Sequence, residues 1–151
     1  MVDDETGEQG YRDEIHMVND YLRRFGEVVS ADLKPLDADG YTDLRHDKIV
    51  IGINVVSEHG ILMLVVKMGD LPEAPQPAFY RRLLELNFLA TGEGAFAIDQ
   101  SNRTIYLRSM RPLAGLTYPQ FEDLLRSVAA AAEGMRDRFG QLAREGAGSE
   151  V

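Results

Sequence analysis

Apolar side chains recur along the chain with two different periods, and the periods divide it into helices and strands. The first segment repeats every three or four positions, at Tyr11, Ile15, Val18, Leu22 and Phe25. That spacing places the five residues on one stripe of a helix. Gly26 follows the stripe and suits a left-handed cap, so the pattern predicts a first helix that ends there.

Alternation with a period of two follows in the next part of the chain. Residues 37–40 form a turn signal, and Tyr41 to Arg45 is predicted as a short edge strand. From Lys48 to Ser57, apolar residues alternate between two faces, which predicts a second strand. Ile61 to Met68 is apolar on both faces, so we expect this strand to be central, or covered by helices on one side and by a partner on the other.

A proline-stiffened connector, residues 71–77, leads to a predicted helix from Ala78 to about Ala90. This middle helix carries apolar residues around most of its circumference: Phe79, Tyr80, Leu83, Leu84, Leu86, Phe88 and Leu89. One stripe facing the sheet cannot hide them all, and a helix of this kind is normally buried on more than one side. The composition therefore predicts a homodimer interface on this helix, at Tyr80, Leu84 and Phe88.

The rest of the chain predicts a hairpin and a long last helix. Ala95 to Asp99 and Arg103 to Met110 flank a turn, and Thr117 with Gln120 fits a capping box. The order is α-β-β-β-α-β-β-α. Because adjacent strands joined by short turns pair antiparallel, we expect an α+β fold whose antiparallel sheet has flanking helices, packed mainly on one side.

Length and charge define the domain and exclude some classes of partner. A chain of 151 residues is predicted to form one domain over residues 11–143, with a disordered acidic tail at 1–10 and a flexible tail at 144–151. A net charge of -9 argues against nucleic acid as a partner. No apolar run is long enough to cross a bilayer and no secretory signal is evident, so we predict a cytoplasmic protein.

Candidate chemistry is sparse. There is no cysteine, and the three histidines, His16, His46 and His59, stand apart from any zinc-binding spacing. The glycines near residue 93 lie between a helix and a strand, the reverse of a dinucleotide-binding turn. We predict no catalytic residues, no metal and no cofactor. An enzyme remains an alternative if Arg81, Arg108 or Arg111 meets convergent carboxylates in a folded pocket.

Three segments carry a resemblance to a known family. They are LLELNFLATGEGAFAID on the middle helix and hairpin, RTIYLRSMRPLAGL on the second hairpin strand, and YPQFEDLLRSVAAAAE on the last helix. Together they resemble the C-terminal half of the type III secretion chaperone-like superfamily, either its CesT/Tir chaperone class or its YbjN-like family. The chaperone class implies a homodimer that presents apolar grooves to an extended segment of a secreted protein.

The leading functional hypothesis is therefore a non-enzymatic module that binds a segment of a partner protein. The apolar strands suggest where the partner binds, and we assign that surface to Ile53, Val55, Leu64 and Val66. A YbjN-like regulatory adaptor is the alternative among binding proteins.

Overall fold

The computed structural model describes residues 13–74, 77–89 and 93–148, and the predicted acidic tail at residues 1–10 lies outside these ranges. Within these ranges, three α-helices and five strands follow the predicted order. They are α1 (Glu14–Val29), β1 (Tyr41–His46), β2 (Ile49–Val56), β3 (Ile61–Asp70), α2 (Pro77–Leu89), β4 (Ala95–Asp99), β5 (Thr104–Pro112) and α3 (Tyr118–Gly148).

The five strands form one antiparallel sheet in the order β1-β2-β3-β5-β4. The two-sided apolar strand β3 is central, as its pattern predicts, and β1 and β4 are the edges. All three helices pack against the same face of the sheet, which we call the covered face. The predicted α+β class, the antiparallel pairing and the one-sided helices are confirmed.

The main core lies between the covered face and the helices α1 and α3. Alternate residues of β2 and β3 point into it, because successive side chains of a strand face opposite sides of the sheet. Val18 of α1, Ile53 of β2, Leu64 of β3 and Phe121 of α3 have no exposed surface. Each such side chain contributes roughly 1.5–3 kcal/mol relative to an exposed one, so this layer is the principal source of stability.

A second apolar cluster fixes α2. Phe79 and Leu83 are buried against Phe96 of β4 and against Met135 and Phe139 of α3. The rings of Phe96 and Phe139 are stacked with their centroids 5.9 Å apart. Helix α2 therefore packs beside the β4 edge and against the last turns of α3 through a single stripe of its surface.

The helix ends confirm one sequence-based prediction and correct another. Thr117 and Gln120 form the expected capping box, since each backbone N–H donates to the side chain of the other, at 3.0 and 3.3 Å. Gly26, however, lies inside α1, and Ser30 takes the left-handed cap with φ of 57°. Gly26 is needed for another reason: a Cβ there would stand 2.6 Å from the carbonyl oxygen of Ala31.

Helix α3 extends beyond residue 143, where the predicted domain ends. It continues to Gly148, so the segment from residue 144 to 148, expected as part of a flexible tail, is helical. The turns just before this segment carry Met135, Phe139 and Leu142, which belong to the second cluster, so α2 depends on the second half of α3.

We expect Gly69→Ala to destabilise the protein. Gly69 follows a bulge in β3, and a Cβ at this position would lie 2.6 Å from Cε2 of the buried Phe139 ring. Overpacking of this kind costs about 1–3 kcal/mol in the free energy of unfolding, measured by chemical denaturation.

Gly134→Ala provides the control. Gly134 lies in α3, and a Cβ added there would have no neighbouring atom within 4 Å, so alanine should raise stability by about 0.5–1 kcal/mol through helix propensity. Equal effects of the two substitutions would show that the Phe139 contact does not constrain Gly69.

Candidate functional site

The four residues assigned to partner binding lie in the core, which corrects that assignment. Ile53, Val55, Leu64 and Val66 point to the covered face and are at most 4% exposed. The sequence shows that β2 and β3 are apolar, but the helices α1 and α3 already cover these four side chains. A partner has to use a surface that the helices leave open, and the described residues form three such surfaces.

The first surface is an apolar groove of about 540 Å³ between the end of α1, strand β1 and helix α3. We call it the α1–α3 groove. Its lining is largely apolar: Phe25, Val29, Ala31, Leu33, Leu44, Ile51, Leu125, Ala129 and Ala130. Arg45, His46, Asp47, Arg126 and Glu133 add polar groups to the same lining. A concave apolar surface with a few polar groups is typical of a binding site.

Small side chains on α3 leave the groove open. Ala129 and Ala130 border it where larger residues would fill the space, while Phe25 and Leu125 are buried and close its floor. Arg126 is fixed at the same border, because its guanidinium donates two hydrogen bonds to Glu122 and lies 5.4 Å from the centre of the Phe25 ring. The groove is therefore held in shape by packed and hydrogen-bonded neighbours.

The second surface is the outer stripe of α2. Leu84 and Phe88, one turn apart, are 68% and 88% exposed, and Tyr80 one turn earlier is half-buried. These are the residues predicted for a dimer interface, and the fold places them on one side of the helix. The inner stripe, Phe79 and Leu83, is buried in the second cluster, and Tyr80 and Leu86 pack against that cluster as partly buried side chains.

The third surface is the sheet face opposite the helices, which we call the open face. Met63 of β3 pairs with Met110 of β5 there, and Met110 is 44% exposed. The ring of Tyr41 crosses this face above β2, so a Cβ at Gly52 would lie 2.9 Å from the Tyr41 hydroxyl. Partial burial is the main cause that raises the pKa of Tyr41 above its ordinary value of 10.0, and the charge of Asp43 is the second cause.

Of the three arginines named for the enzyme alternative, one lies beside carboxylates at a cavity, as that alternative requires. Only Arg111 borders a cavity of about 330 Å³, together with Glu93 and Asp123, whereas Arg81 and Arg108 do not line it. Arg111 donates to both carboxylate oxygens of Glu93 at 2.9 Å, and the buried Ser109 hydroxyl donates to the same carboxylate at 2.6 Å. These contacts engage both carboxylate oxygens of Glu93, so the cluster acts as a structural tie between β5 and the residues just before β4.

Across residues 13–74, 77–89 and 93–148, no three His, Asp or Glu side chains are grouped as a metal site requires. No helix among these residues has the length and hydropathy needed to span a membrane.

The α1–α3 groove was missed by reasoning from the sequence. Two signals pointed to it: the run of alanines from residue 129 to 132, and two valines at the polar end of α1, Val28 and Val29. Helical periodicity does not show what these residues face, because alanine, for example, fits both a buried and an exposed face. Only the packing of α3 against α1 and β1 shows that part of the alanine run borders open space.

We expect the phenol of Tyr41 to ionise above pH 10. Because the pKa of Tyr41 is raised in the folded state, the protonated phenol contributes fully to stability below pH 10. This contribution is lost as the pH rises through the folded-state pKa. Absorbance at the phenolate band measures the ionisation, and Tyr41→Phe should remove one late-ionising group.

Tyr118, whose pKa is also raised by burial, supplies the control, since Tyr118→Phe should leave the Tyr41 component in place. A Tyr41→Phe protein with the same late titration as the parent would show that Tyr41 is solvated like a free phenol.

The comparisons with known proteins agree with this architecture. No curated protein sequence matches significantly. Among solved structures, the ExsC–ExsE complex matches with a TM-score of 0.65 and 22% identity, covering 80% of this chain and 92% of that one. The HopA1–SchA chaperone–effector complex matches with a TM-score of 0.61 and 16% identity, covering 80% of this chain and 97% of that one. YbjN from E. coli matches with a TM-score of 0.57 and 15% identity, covering 81% of this chain and 91% of that one.

The family match extends across most of the fold. The model of the Tir chaperone protein (CesT) family matches residues 21–136, from α1 through all five strands and into α3. It includes the helices and the strand that form the α1–α3 groove, as well as the exposed stripe of α2. The chain belongs to the Tir chaperone protein (CesT) family.

Proposed function

We propose that this protein is a non-enzymatic cytoplasmic chaperone that holds an extended segment of a partner protein in the α1–α3 groove. The main support for the proposal is the groove itself, a largely apolar cavity of about 540 Å³ that the packed core does not fill. Membership of a chaperone family supports the same role. The HopA1–SchA structure, a chaperone–effector complex of the same fold, indicates the kind of partner.

The groove suits an apolar side chain of the partner better than a small polar ligand. Burying one Leu or Phe of the partner against Val29 and Leu33 would contribute roughly 1.5–3 kcal/mol. Polar groups at Arg45, Asp47 and Glu133 line the same groove and would fix the position of the segment without supplying most of the affinity. The family match favours the chaperone over the YbjN-like regulatory adaptor, whose support is likeness of fold at 15% identity.

Binding of segments selected from a phage-displayed library of random peptides tests the groove. We expect selected segments to bind the parent protein and to lose about tenfold or more in affinity for Val29→Asp, because a carboxylate in the groove would have to be desolvated. Isothermal titration calorimetry measures the two dissociation constants.

Val28→Asp is the matched control. Val28 is the neighbouring valine at the end of α1 and is 54% exposed, but it does not line the groove. The same charge at the same helix end should leave the affinity unchanged. Equal losses in the two variants, or a library that yields no segment, would contradict the proposed site.

We further propose that the protein acts as a homodimer through the outer stripe of α2. Leu84 and Phe88 are exposed in the single chain, and burying each side chain would contribute about 1.5–3 kcal/mol. A twofold partner would bury these residues on both subunits at the same interface. The stripe is separate from the residues that line the α1–α3 groove, so dimerisation leaves the groove free.

Light scattering after size exclusion tests the dimer. We expect a dimer mass at micromolar concentration for the parent and a monomer mass for Phe88→Asp and for Leu84→Asp. Leu83→Ala is the control on the inner stripe: it should lower the free energy of unfolding by about 2–5 kcal/mol without changing the mass. A monomeric parent protein would refute the dimer, and a dimeric Phe88→Asp variant would refute this surface.

A further inference from the structure

Strand β4, at the edge of the sheet, meets a side chain of α2 where another strand could pair with it. We infer that the carboxamide of Asn87 closes this edge against the β4 strand of a second copy of the chain. Its consequence for assembly rests on the proposed dimer, since a closed edge leaves the outer stripe of α2 as the surface for self-association. Asn87 is then a specificity-determining residue for how two copies meet.

Asn87 occupies the place of a neighbouring strand beside β4. The backbone N–H of Phe96 donates to Asn87 Oδ1 at 2.6 Å, and Asn87 Nδ2 donates a longer bond of 3.4 Å to the Phe96 carbonyl. A carboxamide carries the same donor and acceptor as a peptide group, so one side chain satisfies both outward groups of Phe96. Because Phe96 is buried in the second cluster, leaving these groups without partners would destabilise the edge.

The position of Asn87 on its helix supports this role. Phe79, Leu83 and Asn87 follow one another at intervals of four residues, so they lie on one side of α2. The first two are buried in the second cluster, whereas Asn87, in the last turn, is half-buried. An apolar residue there would continue the buried stripe, and the amide instead bonds to the strand.

Strand β4 needs protection because its own side chains offer little. Residues 95–98 are all apolar, Ile98 is 40% exposed, and the one charge of the strand, Asp99, stands at its end. An apolar edge with unpaired backbone groups is a template for pairing with another chain. Strand β1, the other edge, carries Asp43 and Arg45 within its length, and charged residues are a common protection of edges.

The register shows why closing Phe96 is sufficient. Ala95, Ala97 and Asp99 lie opposite residues of β5, and hydrogen-bonding directions alternate along a strand, so Phe96 and Ile98 point their backbone groups outward. Two β4 strands paired over their full length about a twofold axis would be centred on Ala97. Phe96 of each copy would then face Ile98 of the other.

Every backbone hydrogen bond of that pairing uses Phe96 of one copy, and Asn87 already occupies those groups in both. A register centred on Ile98 would avoid Phe96, but it retains a single bonded pair within the strand. The incoming strand would also have to displace the last turn of α2, which the same two bonds hold against β4.

Hydrogen exchange of backbone amides, followed by NMR, tests the closure. We expect Asn87→Ala to speed exchange at Phe96 by about tenfold or more, because this amide loses its acceptor. Glu85→Ala is the matched control: Glu85 is exposed on the same helix, with its carboxylate 3.8 Å from Arg82, and should leave the Phe96 rate unchanged.

An unchanged Phe96 rate in folded Asn87→Ala protein would contradict the closure. Should this variant fail to fold, Asn87→Ser keeps a polar side chain that is too short to bond both groups of Phe96. It should speed exchange at Phe96 as well, and an unchanged rate there would count against the closure in the same way.

Light scattering at rising protein concentration tests the effect on assembly. We expect Asn87→Ala to form species of about twice the mass of the parent protein or more, since β4 of one copy can then pair with β4 of another. Adding Ile98→Lys should restore the parent mass, because a charge on the edge opposes pairing.

Two results would overturn the assigned role in assembly. One is fast exchange at Phe96 in Asn87→Ala with the parent mass at every concentration. The other is heavy species that persist after Ile98→Lys is added, because they would form through a surface other than β4. A monomeric parent would refute the proposed dimer, while the difference in mass between parent and variant would still decide whether Asn87 closes β4.

Discussion

The fold depends on the burial of one face of the sheet beneath α3. The described helices and strands bury their apolar side chains in two clusters on this face, and α3 contributes side chains to both of them. Phe121 and Leu125 near its start join α1 to the centre of the sheet, and Met135 and Phe139 near its end hold α2. Removing this helix would leave the covered face in water and α2 without support.

One-sided burial also determines what remains for binding. Because the helices cover only one face, the opposite sheet face stays uncovered, and the groove between α1, β1 and α3 and the outer stripe of α2 stay open as well. A monomer with a sheet of this shape has two edges, and a neighbouring strand is the natural partner of either one. The structure treats the edges differently, since Asn87 satisfies one while the other borders the groove.

The sequence was sufficient for the elements and their order, because period and turn chemistry are local properties. The alternation through Ile51 and Ile53 predicted a strand, and the capping box at Thr117 predicted the start of α3; both are present. The site was harder to predict. An apolar residue such as Leu64 has the same pattern whether a helix of its own chain or a partner covers it, so its assignment to partner binding was wrong. The carboxamide of Asn87 could be placed against β4 only once the fold had brought α2 beside that edge.

The alanines of α3 have a consequence for how such a protein diverges. Ala132 is packed in the core with no exposed surface, whereas its neighbours Ala129 and Ala130 border the groove. Changing the size of those two side chains would reshape the cavity while the layer beneath keeps its packing. Under the proposed function, recognition and folding would depend on adjacent positions of one helix. Substitutions at residues 129 and 130 would then change which segment the groove accepts, while the scaffold stays the same.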